Sequence, residues 1–182
     1  MIKRTQRIGV FVDVQNLYYS ARFMYKAKVN FKEVLKEAVA GRDLVRAIAY
    51  VIKTGEGTEK TFFDALKKIG FEVKSKDLQV FYGGAKKGDW DIGIAMDTIE
   101  LAPKLDTIVL VSGDGDYMEL VEHLKRAVGC RVEAMAFGRS ASGKLKGVVD
   151  GFTDLDKNKT RFLMKERKRE VTKDKKREEL KK

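Results

Sequence analysis

Residues 109–121 read VLVSGDGDYMELV, an apolar run that passes directly into two aspartates separated by one glycine. Ending a buried strand in Asp114 and Asp116 is costly unless the acids have a task. Two more aspartates stand in comparable settings: Asp13 closes the apolar stretch RIGVFVD, and Asp91 lies in the first turn of a helical pattern after YGGAKKGD. Two like charges about 4 Å apart repel by about 4 kcal/mol at an effective dielectric of roughly 20, so a cleft that collects several of them calls for a cation. With a single histidine, His123, and a single cysteine, Cys130, the chain offers an all-oxygen ligand set. That chemistry suits Mg²⁺ or Mn²⁺ and argues against zinc. Such a metal leaves room for phosphate oxygens and a hydrolytic water, the arrangement that phosphodiester cleavage needs.

Each acid also has a local alternative. Asp13 could cap a helix beginning around Gln15, and Asn16 could make a local turn. Asp116 and Glu119 have the D-x-x-E spacing of a capping box, and Gly113 and Gly115 could serve a tight turn. SGDGD alone is a weak signal; the combination of segments is stronger.

The elements that would position these acids follow from periodicity. Strand patterns at residues 8–14, LVRAIAYVIK, FEVKSK, LQVFYGG, DTIVLVSG, RVEAMAFG and GFTDL alternate with helical patterns. The helices are the segment after Gln15, NFKEVLKEAVAG, TEKTFFDALKKIG, DWDIGIAMDTIELA, DYMELVEHLKRAVG and a short one near SGKLKGVVD. That alternation predicts a mainly parallel sheet covered on both faces. Ligands of open parallel sheets sit at the carboxyl ends of the strands. If the strands leading to Asp13 and Asp114 are neighbours, three separate segments deliver carboxylates to one edge.

Charge adds a second theme. The formal net charge is +11, and residues 157–182 hold 13 Lys and Arg against five acids, leaving 25 against 22 for the rest. The sequence therefore reads as one domain over residues 1–156 and a basic tail over 157–182, helical or disordered, either solubilising or stroking phosphates. No apolar run is long enough to span a membrane and the N-terminus lacks a signal-peptide pattern, so a cytoplasmic protein without a membrane partner is expected. Cys130 is expected to be a buried, inert thiol, and His123 a surface or packing residue.

Taken together, GVFVDVQNL, KKGDWDIGIAMD and IVLVSGDGDY, in this order and at these separations, resemble the NYN domain family, the LabA-like (DUF88) branch of the PIN-like nucleases. SASGKLKGVVDGFTDLD resembles the family's last helix and strand, so the likeness spans roughly residues 6–156. It implies a PIN-like three-layer α/β/α sandwich and, for active members, Mg²⁺- or Mn²⁺-dependent ribonuclease chemistry. By position it makes Asp13, Asp91, Asp114 and Asp116 the catalytic, metal-holding acids, with Asn16 and Ser112 supporting them. It selects Asp91 over Asp89, which reads as a helix cap. Asp97 also matches a family position, but six residues along a helix turn it about 120° from the face of Asp91, which suits a supporting role better than direct ligation. The usual SGDSD reads SGDGD here, so a hydroxyl is absent at Gly115.

Lys86, Lys87, Arg139, Ser140, Ser142 and Lys144 are the expected phosphate contacts, on loops opening on the same sheet edge. Tyr18, Tyr19 and Tyr25 could stack on bases, although aromatics at such spacing more often pack in a core, and Trp90 has the same two readings. The leading expectation is a metal-dependent ribonuclease of single-stranded or flexible RNA, with a homodimer open. An RNA-binding or regulatory module that keeps its acids for one cation is the alternative. A phosphatase is disfavoured, since VQN after Asp13 does not give D-x-D-x-T.

Overall fold

The apolar run Arg7–Asp13 forms β1, an inner strand of a six-stranded sheet. The computed structural model describes residues 5–55, 59–80, 82 and 86–165. After β1 come α1 (Val14–Tyr25), β2 (Ala27–Val29), α2 (Phe31–Val39), β3 (Asp43–Lys53), α3 (Glu59–Ile69) and β4 (Glu72–Asp77). A small hairpin of β5 (Gln79–Val80) and β6 (Lys86–Lys87) precedes α4 (Asp91–Leu101) and β7 (Thr107–Val111). A 3-10 turn at Gly115–Tyr117 then enters α5 (Met118–His123). The chain continues through β8 (Arg131–Ala136), α6 (Gly143–Val148), β9 (Gly151–Asp154), α7 (Lys159–Phe162) and β10 (Leu163–Lys165).

The main sheet runs β4-β3-β1-β7-β8-β9 and every pairing in it is parallel. Such a sheet must be covered on both faces, which is why its strands read as continuous apolar runs. On β1, Val10 and Val12 enter the core shared with α1, α2 and α3, whereas Phe11 enters the opposite core shared with α4, α5 and α6. This is the expected α/β/α sandwich.

The strand order fixes where a ligand can bind. From β1 the chain moves outward through β3 and β4, and it later returns to the other side of β1 as β7 before moving out to β8 and β9. The order therefore reverses between β1 and β7, and the crevice outside their carboxyl ends is the switch point that open α/β sheets use for ligands.

Three local departures from the sequence pattern have physical reasons. The described strand within LQVFYGG, Gln79–Val80, pairs antiparallel with Lys86–Lys87 outside the main sheet. The segment after Asp114 is not one helix: a 3-10 turn precedes α5 and a π turn at Leu124–Val128 follows it, ending at Gly129 in the left-handed region. Residues 157–165 pack on the domain, because β10 pairs antiparallel with β2, Phe162 is buried, and Arg161 bridges Glu33 and Glu37 on α2. The rest of the expected tail, 166–182, lies outside the described residues. Among the described residues no helix is long and apolar enough to cross a membrane.

Candidate metal and nucleic-acid site

Asp13 and Asp114 close the two strands that flank the switch point, and each is built into the backbone turn that follows it. Asp13 caps α1, its Oδ1 accepting the Asn16 amide at 3.0 Å. Its Oδ2 accepts the Ser112 hydroxyl at 3.3 Å, which ties β1 to the loop after β7. The Asn16 side chain crosses the same gap, its Oδ1 accepting the Gly113 amide at 3.0 Å. Ser112 also accepts the Asp114 amide at 3.2 Å. Asn16 and Ser112 thus tie Asp13 and the start of α1 to the loop after β7.

The cap of the second loop belongs to Asp114 instead of Asp116. Asp114 Oδ1 accepts the Asp116 amide at 3.0 Å, and the exposed Asp116 carboxylate makes no cap bond. The D-x-x-E capping box fails because the 3-10 turn moves the helix entry back to Asp114. Asp89 likewise does not cap α4: the cap position is Trp90, one residue later, and no side chain bonds there. Trp90 is an anchor, its Nε1 donating to the Val51 carbonyl at 2.9 Å and its ring meeting Tyr50 at 5.2 Å. It holds the start of α4, and so Asp91, against β3.

Asp91 enters from the opposite face of the sheet. The Tyr117 hydroxyl donates to its Oδ1 at 3.0 Å. Tyr117 is buried and its phenol is pushed upward, by burial first and then by the charges of Asp13 and Asp91, so it remains a proton donor. Asp97 faces away from the crevice: the Lys74 ammonium contacts both its oxygens, at 2.7 and 2.9 Å, and the Tyr50 hydroxyl donates to it at 2.6 Å. Burial works to raise the Asp97 carboxyl, but Lys74 and Tyr50 outweigh it and hold the group below the usual carboxylate range. Tyr50 in turn is the register partner of Asp13 on β3. Tyr50 and Tyr117 carried no sequence signal that separates them from ordinary core tyrosines.

Two of these carboxyls, Asp13 and Asp91, are raised above the usual carboxylate range. Burial pushes the Asp13 carboxyl up to about 6, with the charges of Asp91 and Asp114 adding to the rise and the Asn16 amide and Ser112 hydroxyl opposing it. Asp91 is also raised, by burial first, with Asp89, Asp114 and Asp116 adding to it. Among the described residues none of the four acids is ion-paired to lysine or arginine, in contrast to Asp97. Nor do any three Asp, Glu, His or Cys side chains among the described residues converge closely enough to hold an ion as they stand. The donor chemistry of Asp13, Asp91, Asp114 and Asp116, all oxygen, is the kind that suits a hard divalent cation.

Gly113 and Gly115 matter for close approach. A Cβ on Gly113 would stand 2.9 Å from the Ala141 Cα, and one on Gly115 would stand 2.7 Å from the Ser142 Oγ. The hydroxyl absent at position 115 is therefore replaced in space by that of Ser142, whose amide also donates to the Gly113 carbonyl at 2.8 Å. Of the other expected phosphate contacts, Arg139 and Ser140 are exposed on the loop after β8 and Lys144 is exposed in the first turn of α6. Lys146, which the sequence did not single out, fastens that loop by donating to the Gly138 carbonyl at 2.6 Å. The side chains of Lys86 and Lys87 lie outside the described residues. The three tyrosines divide: Tyr25 packs on Phe137 and donates to Asp156, whereas Tyr18 and Tyr19 are exposed. Cys130 is buried and burial pushes its thiol up to about 11, as expected of an inert thiol, and His123 is on the surface.

A wholly parallel α/β/α sandwich with carboxylates at its switch point defines the class as PIN-like. The NYN domain family model matches residues 7–156, and the chain belongs to that family. The low amplitude and bright protein LabA of Synechococcus elongatus is 26% identical over 167 residues, covering 86% of this chain and 87% of LabA. The crystal structure of VPA0982, a protein of unknown function from Vibrio parahaemolyticus, superposes with a TM-score of 0.81 at 34% identity, covering 90% of this chain and 99% of that one.

Proposed function

We propose that this protein is a divalent-metal-dependent ribonuclease that hydrolyses phosphodiester bonds of single-stranded or flexible RNA. The observation that supports it best is that Asp91 and Asp114, from two other segments, stand near enough to the buried Asp13 for their charges to push its carboxyl up, with no lysine or arginine among the described residues paired to any of the three. Family membership supports nuclease chemistry in general.

Asp13, Asp91, Asp114 and Asp116 would hold Mg²⁺ or Mn²⁺. When bound, the cation would polarise the phosphate and make a water easier to deprotonate. The chain's own residues do the positioning. Ser112 and Asn16 fix the two oxygens of Asp13, Tyr117 holds Asp91, and the Asp116 amide holds Asp114. Arg139 and Ser142, between β8 and α6, and Lys144 in the first turn of α6 would meet RNA phosphates, and Lys86 and Lys87 are assigned the same role from sequence alone.

The test is cleavage of a fluorescent unstructured RNA with Mn²⁺, with Mg²⁺ and with EDTA, comparing wild type with Asp114→Asn. Metal-dependent cutting that vanishes in the variant supports the nuclease. Because no three ligands converge as they stand, the second reading is a non-catalytic RNA-binding module. RNA bound but uncut under all three conditions would establish that instead.

A further inference from the structure

Beside the acidic crevice lies a second concavity, of about 380 Å³, between α1, β3 and α3. Its walls include Gln15, Tyr18, Tyr19, Ile52, Thr54 and Phe62. Building on RNA as the ligand of the crevice, we propose that this cavity is a nucleobase subsite. In it Tyr18 and Tyr19 contact an unpaired base whose neighbouring phosphate lies at Asp13.

Position is the first argument. Val14 and Gln15 line the cavity and follow Asp13 directly, so crevice and cavity share the first turn of α1. The other long wall, Val51 to Thr54, is the carboxyl end of β3, the strand that pairs with β1. A chain of RNA laid along the carboxyl edge of the sheet passes from one to the other without turning.

The aromatic side chains are the second. Tyr18 and Tyr19 are each 47% exposed and their neighbour Phe23 is 69% exposed, although all three stand on the helix that buries Val14, Leu17 and Ala21. Tyr19 stacks on Phe23 at 5.8 Å with ring planes 19° apart, and Tyr18 meets Tyr19 edge-on at 5.4 Å. Among the described residues no hydrogen bond engages either tyrosine hydroxyl, so neither ring is held there to satisfy the core. Aromatic faces beside a backbone track are how single-stranded nucleic acid is gripped irrespective of sequence.

Polarity and size are the third. Glu59 is the acid on the wall, and its Oε1 accepts the Thr54 amide, the Thr54 hydroxyl at 2.8 Å and the Gly55 amide at 3.1 Å. Those donors hold Glu59 ionised, so its charge disfavours a phosphate here and leaves the cavity to the uncharged base. The Gln15 amide has no hydrogen-bond partner among the described residues and can both donate to and accept from a base edge. A volume of about 380 Å³ falls in the range of roughly 300–1,000 Å³ usual for small-ligand pockets. It accommodates a base that has left its stack and cannot admit a base still paired in a duplex, which gives the enzyme its preference for unpaired RNA.

The test uses a short single-stranded RNA carrying the fluorescent base 2-aminopurine, titrated with the full chain in EDTA so that nothing is cut. Stacking on tyrosine should quench the probe. Tyr18→Ala and Tyr19→Ala should each weaken binding about tenfold and relieve the quenching, while Tyr18→Phe and Tyr19→Phe should retain both. With Mn²⁺ the alanine variants should raise KM for RNA and leave kcat near wild type. Thermal unfolding of each variant checks that these exposed positions leave the fold intact. Unchanged affinity in the double alanine variant, or loss in the phenylalanine variants equal to that in alanine, would overturn the subsite. RNA cut normally with KM unmoved by the double variant removes the subsite and leaves the nuclease. Tyrosine-dependent quenching without cutting leaves the subsite and removes the nuclease.

Discussion

Replacing Asp13 by asparagine should stabilise the metal-free protein near neutral pH. A carboxyl raised from 3.8 to about 6 binds its proton more tightly in the folded chain than in the unfolded one. The sign follows from linkage: between those values the native state holds more protons, so stability falls as pH rises through the window and stays low above it. At about 1.4 kcal/mol per tenfold in proton affinity, the ionised Asp13 costs the fold about 2–3 kcal/mol at pH 7.5. Asparagine removes the charge and keeps the oxygen that accepts the Asn16 amide, so the helix cap survives. Thermal unfolding in EDTA should place Asp13→Asn roughly 5–10 °C above wild type at pH 7.5, and close to it at pH 4. Taking the difference between the two proteins cancels acids such as Asp106, which the Arg7 guanidinium lowers to about 2 and which lose their contribution only as pH falls. Added Mg²⁺ should close most of that gap, raising wild type by about 2.7 kcal/mol at a hundredfold excess over its Kd and leaving the variant unmoved. A variant less stable than wild type at pH 7.5 in EDTA would refute the claim that Asp13 is an uncompensated buried charge.

Asp97→Asn should lower stability through loss of the Lys74 pair and leave Mn²⁺ affinity within about threefold of wild type, whereas Asp91→Asn should weaken it more than tenfold by calorimetric titration. Replacing Arg42, whose side chain is buried against Glu133 and the Ala38 and Val39 carbonyls, by alanine should cost about 2 kcal/mol in urea unfolding, since the two carbonyls lose their donor and Glu133 keeps only Arg131. Gly115→Ser should destabilise by about 1 kcal/mol through crowding of Ser142, and Ser142→Gly in the same chain should recover most of that loss. Equal costs in the single and double variants would show that the two positions do not share space.

Much of the fold is legible in the sequence because burial on both faces leaves a plain mark. IVLV and VFV are apolar at every position, as a strand covered on both sides is written. The alternation of such runs with amphipathic helices specifies a parallel sheet, and the placement of Asp13 and Asp114 just past two of them specifies which edge is acidic. Less legible is anything that depends on which element lies beside which. The β2–β10 pair joins residues more than 130 apart in segments three residues long, too short for periodicity to register. The helix entry at Asp114 depends on a 3-10 turn that the D-x-x-E spacing of Asp116 and Glu119 conceals.

The sequence by itself determined the chemistry available to this protein: hard oxygen ligands, one inert thiol, a surplus of positive charge, and carboxylates at strand ends. Tertiary structure alone decided how those groups are used. Asp13 and Asp97 are the same residue type, yet the first stands unpaired in a crevice that raises it to about 6 and the second is neutralised by Lys74 and Tyr50. Tyr19 and Tyr25, six residues apart on one helix, likewise part company, one open to solvent and one bound to Asp156. The reason is that charge and exposure are set by distance and solvent access, and both are properties of the packed chain, fixed by neighbours that lie far away along it.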